Sequence, residues 1–246
     1  MLFSGQLGCY NNSKFSLELQ DPTTSPIFCK PYPIPQTHMD IFKKELNHLI
    51  GKGFLQHIPR SECAFPTFIS PKKDGRVRWM SDFRKLNKLL KRPRYFLPSI
   101  PEIMQRRQRF KFITKIDISM RFYTFEIDAQ SQRLCVISTP FGLYQYKGLP
   151  MGITNSPDYF QSVMHPLFSD LSNPECFIDN LGIFLLASFE AHLQTTHQVL
   201  LRLERYGLTV NPLKCEWAAQ TTEYFGFLLT LHDIKPLPKR SKLSPK

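Results

Sequence analysis

The middle of the chain admits few folds. Residues 110–118, FKFITKIDI, form an apolar, β-branched run that delivers a carboxylate, Asp117, near its end. Residues 176–184, CFIDNLGIF, set a second carboxylate, Asp179, and the amide of Asn180 between two apolar runs, the pattern of a hairpin tip. Between these segments Phe160, Val163, Met164, Leu167, Phe168 and Leu171 recur at helical spacing, the clearest amphipathic helix in the sequence. Strand, helix, hairpin, helix and strand in that order predict an α+β domain. Its core would be a ferredoxin-like antiparallel sheet with helices on one face, which brings a strand end beside a hairpin tip. Asp and Asn are also ordinary turn residues, so the hairpin taken alone requires no chemistry.

Clustered carboxylates repel one another unless a cation lies between them. Hard oxygen ligands suit Mg²⁺, and two such ions about 4 Å apart can activate a hydroxyl and steady a leaving pyrophosphate. The charge distribution points the same way. Of a net +12, the segment from Arg60 to Lys115 holds 16 Lys+Arg against 4 Asp+Glu, so the whole excess sits in one block. That block is interleaved with Phe65, Phe68, Trp79, Phe83, Tyr95, Phe96, Phe110 and Phe112. Cations neutralise phosphates and aromatic faces stack on bases, so nucleic acid is the best-matched partner, ahead of an acidic protein surface.

The longest apolar run, Leu181 to Ala187, is too short to span a bilayer, and no secretory apolar block follows Met1. The expectation is a soluble intracellular protein, cytoplasmic or nuclear, with no membrane partner. The six cysteines are too widely spaced for a zinc site or a small disulfide scaffold, and His192 and His197 read as residues of a helix face rather than as metal ligands.

Residues 1–35 read as an extended arm. Phe42, Leu46, Leu49 and Ile50 predict a helix over 38–50, stopped by Gly51 and Gly53. The stretch FPTFISPKKDGRVRWMSDF reads as strand, turn and strand about Asp74-Gly75, concentrating Lys72, Lys73, Arg76 and Arg78 on one hairpin. Ser99-Ile100-Pro101-Glu102 has capping-box spacing and opens a helix to about Arg109. FYTFEID and RLCVIST are predicted as two strands, Ser156 as an N-cap with Pro157 following, and Ala191 to Tyr206 as a helix ended by Gly207. Short strands are expected near Leu208 to Val210 and Tyr224 to Leu229, before a basic, proline-broken tail.

Several of these segments, in order, resemble the reverse transcriptase domain of long-terminal-repeat retrotransposons of the Ty3/gypsy type, from about Lys30 to Pro238. PTFISPKKDGRVRW and SDFRKLNK are similar to the family's fingers block, KIDISMRFYTFEI to its first catalytic block, and TPFGLYQYKGLPMGITNSPDYFQ to its template and nucleotide loop. FIDN stands where the family has an aromatic residue, any residue and two aspartates, and TEYFGFLL resembles its primer-contacting hairpin. The resemblance implies RNA-directed DNA polymerisation in a right-hand polymerase fold of fingers and palm, with the thumb largely missing. It divides the chain into an arm (1–35), fingers (36–90 and 128–150), palm (91–127 and 151–232) and the basic start of a truncated thumb (233–246).

By position, the resemblance gives Asp117, Asp179 and Asn180 as catalytic and metal-holding residues for two Mg²⁺ ions, with Mn²⁺ able to substitute. It gives Lys72, Arg78, Phe122, Met151 and Gly152 to the incoming dNTP, with Phe122 under the sugar, excluding a 2′-hydroxyl. Phe177, Ile178, Phe225, Gly226 and Phe227 go to primer and template. The partners implied are a primed RNA or DNA template, dNTPs and a larger polyprotein carrying RNase H and integrase, in a virus-like particle. Asn180 departs from the pattern where an aspartate is expected, which predicts a weakened metal site. The alternative is a non-catalytic nucleic-acid-binding remnant of the same fold. A metal-dependent nuclease is disfavoured by the nucleotide-pocket residues Lys72, Arg78 and Phe122.

Overall fold

The computed structural model describes residues 2–71, 77–106, 109–171, 173–178, 180–231 and 233–237. Through Pro35 the chain runs extended and is tied down along its length. Tyr10, Phe15 and Leu17 are buried in the main core, and bridges join Phe15 to Ile127, Leu19 to Leu90 and Phe28 to Ala64. Helix α1 (Gln36–Gly51) buries Phe42, Leu46 and Leu49, the face its periodicity predicts. Strands β1 (Leu55–Ile58), β2 (Phe65–Pro71) and β3 (Val77–Ser81) follow. β2 and β3 pair antiparallel from Thr67↔Ser81 to Pro71↔Val77, and the Asp74-Gly75 turn that would join them lies outside the described residues.

After the short helix α2 (Arg84–Asn87), α3 (Ile100–Arg106) opens on the expected capping box. The Ser99 N–H donates to Glu102 Oε2 at 2.7 Å and the Glu102 N–H to Ser99 Oγ at 3.4 Å. Strand β4 (Phe112–Asp117) carries Asp117 at its end, as predicted. The strand expected for FYTFEID does not form. A strand would send Phe122, Tyr123 and Phe125 to alternate faces, but all three bury in one core. A 3₁₀ turn (Arg121–Thr124), entered through left-handed Met120 (φ 56°), lets them do so. In RLCVIST, Arg133 and Leu134 close a helix instead, α4 (Ala129–Leu134), whose cap Asp128 accepts the Ser131 N–H at 2.7 Å. The strand proper is β5 (Val136–Thr139), followed by β6 (Gly142–Tyr146).

Helix α5 (Ser156–Phe168) starts one residue earlier than expected: Asn155 is the cap position, and Ser156 turns its hydroxyl to the Pro150 carbonyl at 3.3 Å. Strands β7 (Pro174–Phe177) and β8 (Asn180–Leu185) make the hairpin, and α6 (Phe189–Arg205), capped by Ser188, ends before Gly207 at φ 74°. The strand expected at 208–210 reduces to a bridge between Val210 and Ile118. After β9 (Glu216–Ala219), β10 (Thr222–Tyr224) and β11 (Phe227–Leu229) form a hairpin, and β12 (Ile234–Pro236) adds a third strand from the region read as tail.

Among the described residues the strands form three sheets. β1-β6-β5-β2-β3 is antiparallel except where β2 meets β5, β7-β8-β4-β9 is antiparallel throughout, and β10-β11-β12 is the smallest. β4, α5, β7, β8, α6 and β9 have the ferredoxin-like succession, with the fourth and first strands adjacent. The segment holding β5 and β6 is inserted within it. Alternation along β4 assigns the faces. Ile116 packs in the main core with Phe160 and Met164 of α5, and Thr114 meets His192 of α6 at 2.8 Å. Ile113 joins Phe110, Ile103, Phe184, Tyr224 and Leu229 on the opposite face, which Asp117 shares by parity.

His192 is fully buried, and its Nδ1 has no hydrogen-bond partner among the described residues. Burial pushes its pKa below the ordinary histidine value. The native state therefore keeps the ring neutral while the unfolded chain takes up a proton, so stability is full above about pH 6.5 and falls as pH drops below it. Urea unfolding at pH 7.5 and pH 5 should show this loss, and His192→Gln should reduce the difference between the two.

Candidate active site

Asp117 is the Cα partner of Asn180 at the open end of the β4–β8 ladder. Its N–H is given to Cys215 Sγ at 3.3 Å, and its carbonyl accepts the Asn211 N–H at 3.0 Å, so both backbone groups turn away from β8. Asp117 and Asn180 therefore form a non-hydrogen-bonded pair, the kind with Cα atoms about 4.5 Å apart and side chains closest. Directly opposed residues share a face, so the Asn180 amide leaves the sheet beside the Asp117 carboxylate, on the face away from α5 and α6. The carboxylate is 29% exposed, and Lys214 Nζ stands 3.6 Å from its Oδ1.

The hairpin turn falls one residue before the place its composition suggests. Phe177 pairs with Asn180, so the turn takes in Ile178, and Asn180 is already in β8. Asp179 itself lies outside the described residues. Ile178 adopts φ 53°, a costly left-handed conformation for a β-branched side chain. The conformation is held from α5: Gln161, fully buried, accepts the Ile178 N–H at 2.7 Å and donates to the Cys176 carbonyl at 2.7 Å. One amide thus grips the backbone at Cys176 and at Ile178, where β7 runs into the turn.

The loop before α5 is held in a similar way. Gly152 has φ 99°, and an added Cβ would come 3.1 Å from the Ser81 carbonyl. The Asn87 side chain donates to the Gly152 carbonyl at 2.7 Å and accepts the Thr154 N–H at 2.9 Å. Met151, beside it, is 37% exposed. Arg78 is exposed on β3, opposite Ser70, while Lys72 lies outside the described residues. The end of β3 is fixed by Asp82, which takes a two-pronged bond from Arg84 at 2.8 and 2.6 Å and the Tyr32 hydroxyl at 2.6 Å. The Arg84 guanidinium holds the Asp82 carboxyl well below the usual carboxylate range. Phe122 is only 8% exposed, its ring edge-on to Phe160 at 5.7 Å.

The hairpin of β10 and β11 turns through Phe225 (φ 50°) and Gly226 (φ 81°), the paired positive angles of a tight two-residue turn. The Phe225 ring meets Phe177 at 5.2 Å, joining this turn to the β7–β8 hairpin, and Phe227 is half-buried in the same cluster. Gly182 makes the approach possible: a Cβ there would lie 2.7 Å from the Phe184 ring and 3.0 Å from the Tyr224 hydroxyl.

The reverse transcriptase (RNA-dependent DNA polymerase) family matches residues 70–229, well over half of the chain. The chain belongs to the reverse transcriptase family. It is 30% identical over 225 residues to the retrovirus-related Pol polyprotein from transposon 297 of Drosophila melanogaster, a match covering 89% of this chain and 21% of that protein. It is 26% identical over 226 residues to the transposon Tf2-7 polyprotein of Schizosaccharomyces pombe, covering 91% and 17%. The chain therefore spans about a fifth of the length of these relatives. Among solved structures, the native foamy virus protease-reverse transcriptase superimposes with TM-score 0.83 at 24% identity, covering 93% of this chain and 31% of that one. The foamy viral protease-reverse transcriptase dRH in complex with double-stranded DNA reaches 0.87 at 21% identity, covering 96% and 41%. This reverse transcriptase domain thus has the α+β fingers-and-palm architecture that the order of its motifs predicts, and no described helix is long and apolar enough to cross a membrane.

Sequence reasoning missed Gln161, Asn87, Lys214 and Cys215. For Gln161 a signal was present, since an amide lies within the apolar arc of Phe160, Met164 and Phe168 on a buried helix. Replacing Gln161 with Leu removes its bonds to the Ile178 N–H and the Cys176 carbonyl beside the strained turn and sets an apolar group against both, a loss of about 1–3 kcal/mol. Denaturant unfolding of Gln161→Leu should show a loss in that range or above, exceeding the loss from Asn87→Ala at the more exposed Gly152 loop.

Proposed function

We propose that this chain is the polymerising part of a reverse transcriptase, extending a primer on an RNA or DNA template with dNTPs as part of a retrotransposon polyprotein. The reading is carried by the Asp117–Asn180 pair, set side by side on the open face of the palm sheet next to the turn at Ile178. Oxygen donors on one exposed face fit a hard divalent cation, and the ammonium of Lys214 beside Oδ1 marks this place as one that draws positive charge. Asp117 and Asp179 would hold two Mg²⁺ ions, or Mn²⁺, with the Asn180 carbonyl oxygen in the third position. The ions would supply charge stabilisation to the attacking 3′-oxygen and the leaving pyrophosphate.

The residues around them have separable tasks. Arg78, on β3, and Lys72, outside the described residues, would bind the triphosphate as cationic donors. Gly152, with no side chain, and Met151 would shape the floor of the nucleotide pocket, held in place by Asn87. Phe122, braced by Phe160, would close the space a ribose 2′-hydroxyl needs. Phe177, Ile178, Phe225, Gly226 and Phe227 would support the primer end, the contact between Phe177 and Phe225 keeping primer and metals in register. We read fingers at 36–90 and 128–150 and palm at 91–127 and 151–232, a division supported by the two larger sheets, each of which draws its strands from one of these sets. A cytoplasmic particle or the nucleus is the compartment that fits such a polyprotein.

Asn180 preserves the fold because it occupies a regular strand position, but it contributes no charge. With one preorganised electrostatic group removed, transition-state stabilisation falls by about 3 kcal/mol, or roughly 10² to 10³ in rate. Primer extension with Mg²⁺ and with Mn²⁺ is the direct test. We expect weak extension, higher in Mn²⁺, and a large gain in Asn180→Asp with little change in duplex affinity. The gain should vanish when Asp117→Asn is added. Duplex binding with no metal-dependent extension by either chain would instead select the non-catalytic remnant.

The Phe122 assignment has its own readout. In the Asn180→Asp background, Phe122→Val should raise ribonucleotide incorporation relative to deoxynucleotide incorporation. An unchanged ratio would make Phe122 a core residue only.

A further inference from the structure

A thiol is inserted into the backbone ladder at Asp117. Where the chain returns past β4, Ile118 bridges Val210, the Ser119 N–H donates to the Thr209 carbonyl at 2.8 Å, and the Asn211 N–H donates to the Asp117 carbonyl at 3.0 Å. A regular antiparallel ladder would be completed by an Asp117 N–H donated to the Asn211 carbonyl. That bond is replaced by two. The Asp117 N–H donates to Cys215 Sγ at 3.3 Å, and the Cys215 thiol donates to the Asn211 carbonyl at 3.2 Å. The side chain thus occupies the gap between the two backbone groups and satisfies both.

The chain needs such a bridge here because the β4–β9 register breaks just before the site. Ile113 pairs with Ala219 and Lys115 with Glu216, so the two strands no longer keep step, and residues 212–214 turn through a short 3₁₀ segment. The end of β4 therefore cannot be fixed by β9 in the usual way. On its other side, the Asp117–Asn180 pair exchanges no backbone bond with β8. The Asp117 amide would be left to water without the thiol, at the residue whose side chain must be aimed most accurately.

We propose that Cys215 is a positioning residue for Asp117: its thiol, acting as acceptor and donor at once, fixes the backbone that aims the catalytic carboxylate, and the metal site loses affinity without it. The inference rests on the polymerase reading only for the role of the carboxylate; the thiol relay itself is a backbone matter. Groups that hold a metal ligand from behind commonly change metal affinity by about 10- to 100-fold when removed. The Cys215 relay should fall in that range.

The test compares Cys215→Ala, Cys215→Ser and Cys215→Val in the Asn180→Asp chain by two measurements. Residue-resolved hydrogen exchange follows the Asp117 amide, with the Ser119 amide as internal reference, and electron paramagnetic resonance titration follows Mn²⁺ binding. A relay predicts that Ala and Val speed Asp117 exchange and weaken Mn²⁺ binding about tenfold or more, that Ser, which also donates and accepts, restores much of both, and that Ser119 stays protected in all three. A space-filling role predicts the opposite order, with Val restoring and Ser behaving as Ala, and would overturn the proposal. So would an Asp117 amide that stays protected in Cys215→Ala, or Mn²⁺ affinity that does not move when that protection is lost. Failure of the polymerase reading looks different: the Cys215 parent would show no Mn²⁺ binding that Asp117→Asn abolishes, while the exchange data would still decide whether the relay exists.

Discussion

The antiparallel pairing of β4 with β8 is the constraint on which the site depends. It runs in unbroken register from Phe112↔Leu185 to Asp117↔Asn180, and a slip of one residue would move every side chain to the opposite face. Ile116 and Leu181 would leave the core and the carboxylate would point into α5 and α6. The same register that buries the aliphatic side chains therefore puts the polar pair on the open face. Ile113 and Phe184, also on that face, are covered locally by α3 and the small β10–β12 sheet. Cover at one end and exposure at the other leave a ledge beside the β7–β8 hairpin.

Around this ledge, the irregular parts of the backbone are fixed by side chains from elsewhere. Gln161 holds the turn at Ile178, Asn87 holds the loop at Gly152, and Asp82 with Arg84 and Tyr32 holds the end of β3. Gln161 and Asn87 each bond two backbone groups at once, beside the left-handed Ile178 and Gly152. Local conformational cost is concentrated at the site, and helices and strands behind it supply the compensating bonds.

This division explains what was legible in the sequence. Periodicity marked α1, α5 and β4, and the Ser99–Glu102 box marked α3, because those elements are decided by residues a few positions apart. FYTFEID was misread because its aromatic residues all answer to one distant core, formed with Phe160 and Tyr146. The Asp128 cap and its helix α4 lie in the polar stretch DAQSQRL between the two segments read as strands, where six residues carry too little periodicity to mark a helix. The turn at Ile178 was misplaced because Asp and Asn are better turn residues than Ile, and only Gln161, 17 positions away, reverses that preference. The motifs gave the family and the positions of Asp117 and Asn180. The bond from Cys215 to Asp117 spans 98 positions and leaves no local pattern.

The insertion of β5 and β6 within the palm succession has a consequence for synthesis. β4 lies at the centre of the β7-β8-β4-β9 sheet, yet β8 starts only at residue 180 and β9 at residue 216. A ribosome adding about 5–20 residues per second exposes β4 for several seconds before β8 exists, and for longer before β9 does. During that interval both of its edges are unpaired, in a strand rich in β-branched and aromatic residues, the composition most prone to pairing with another chain. The lobe containing β1, β2, β3, β5 and β6 has all its strands by residue 146 and can assemble first. Lys115 and Asp117 at the end of β4 then guard a nascent edge, since charge within a strand opposes association with a foreign one.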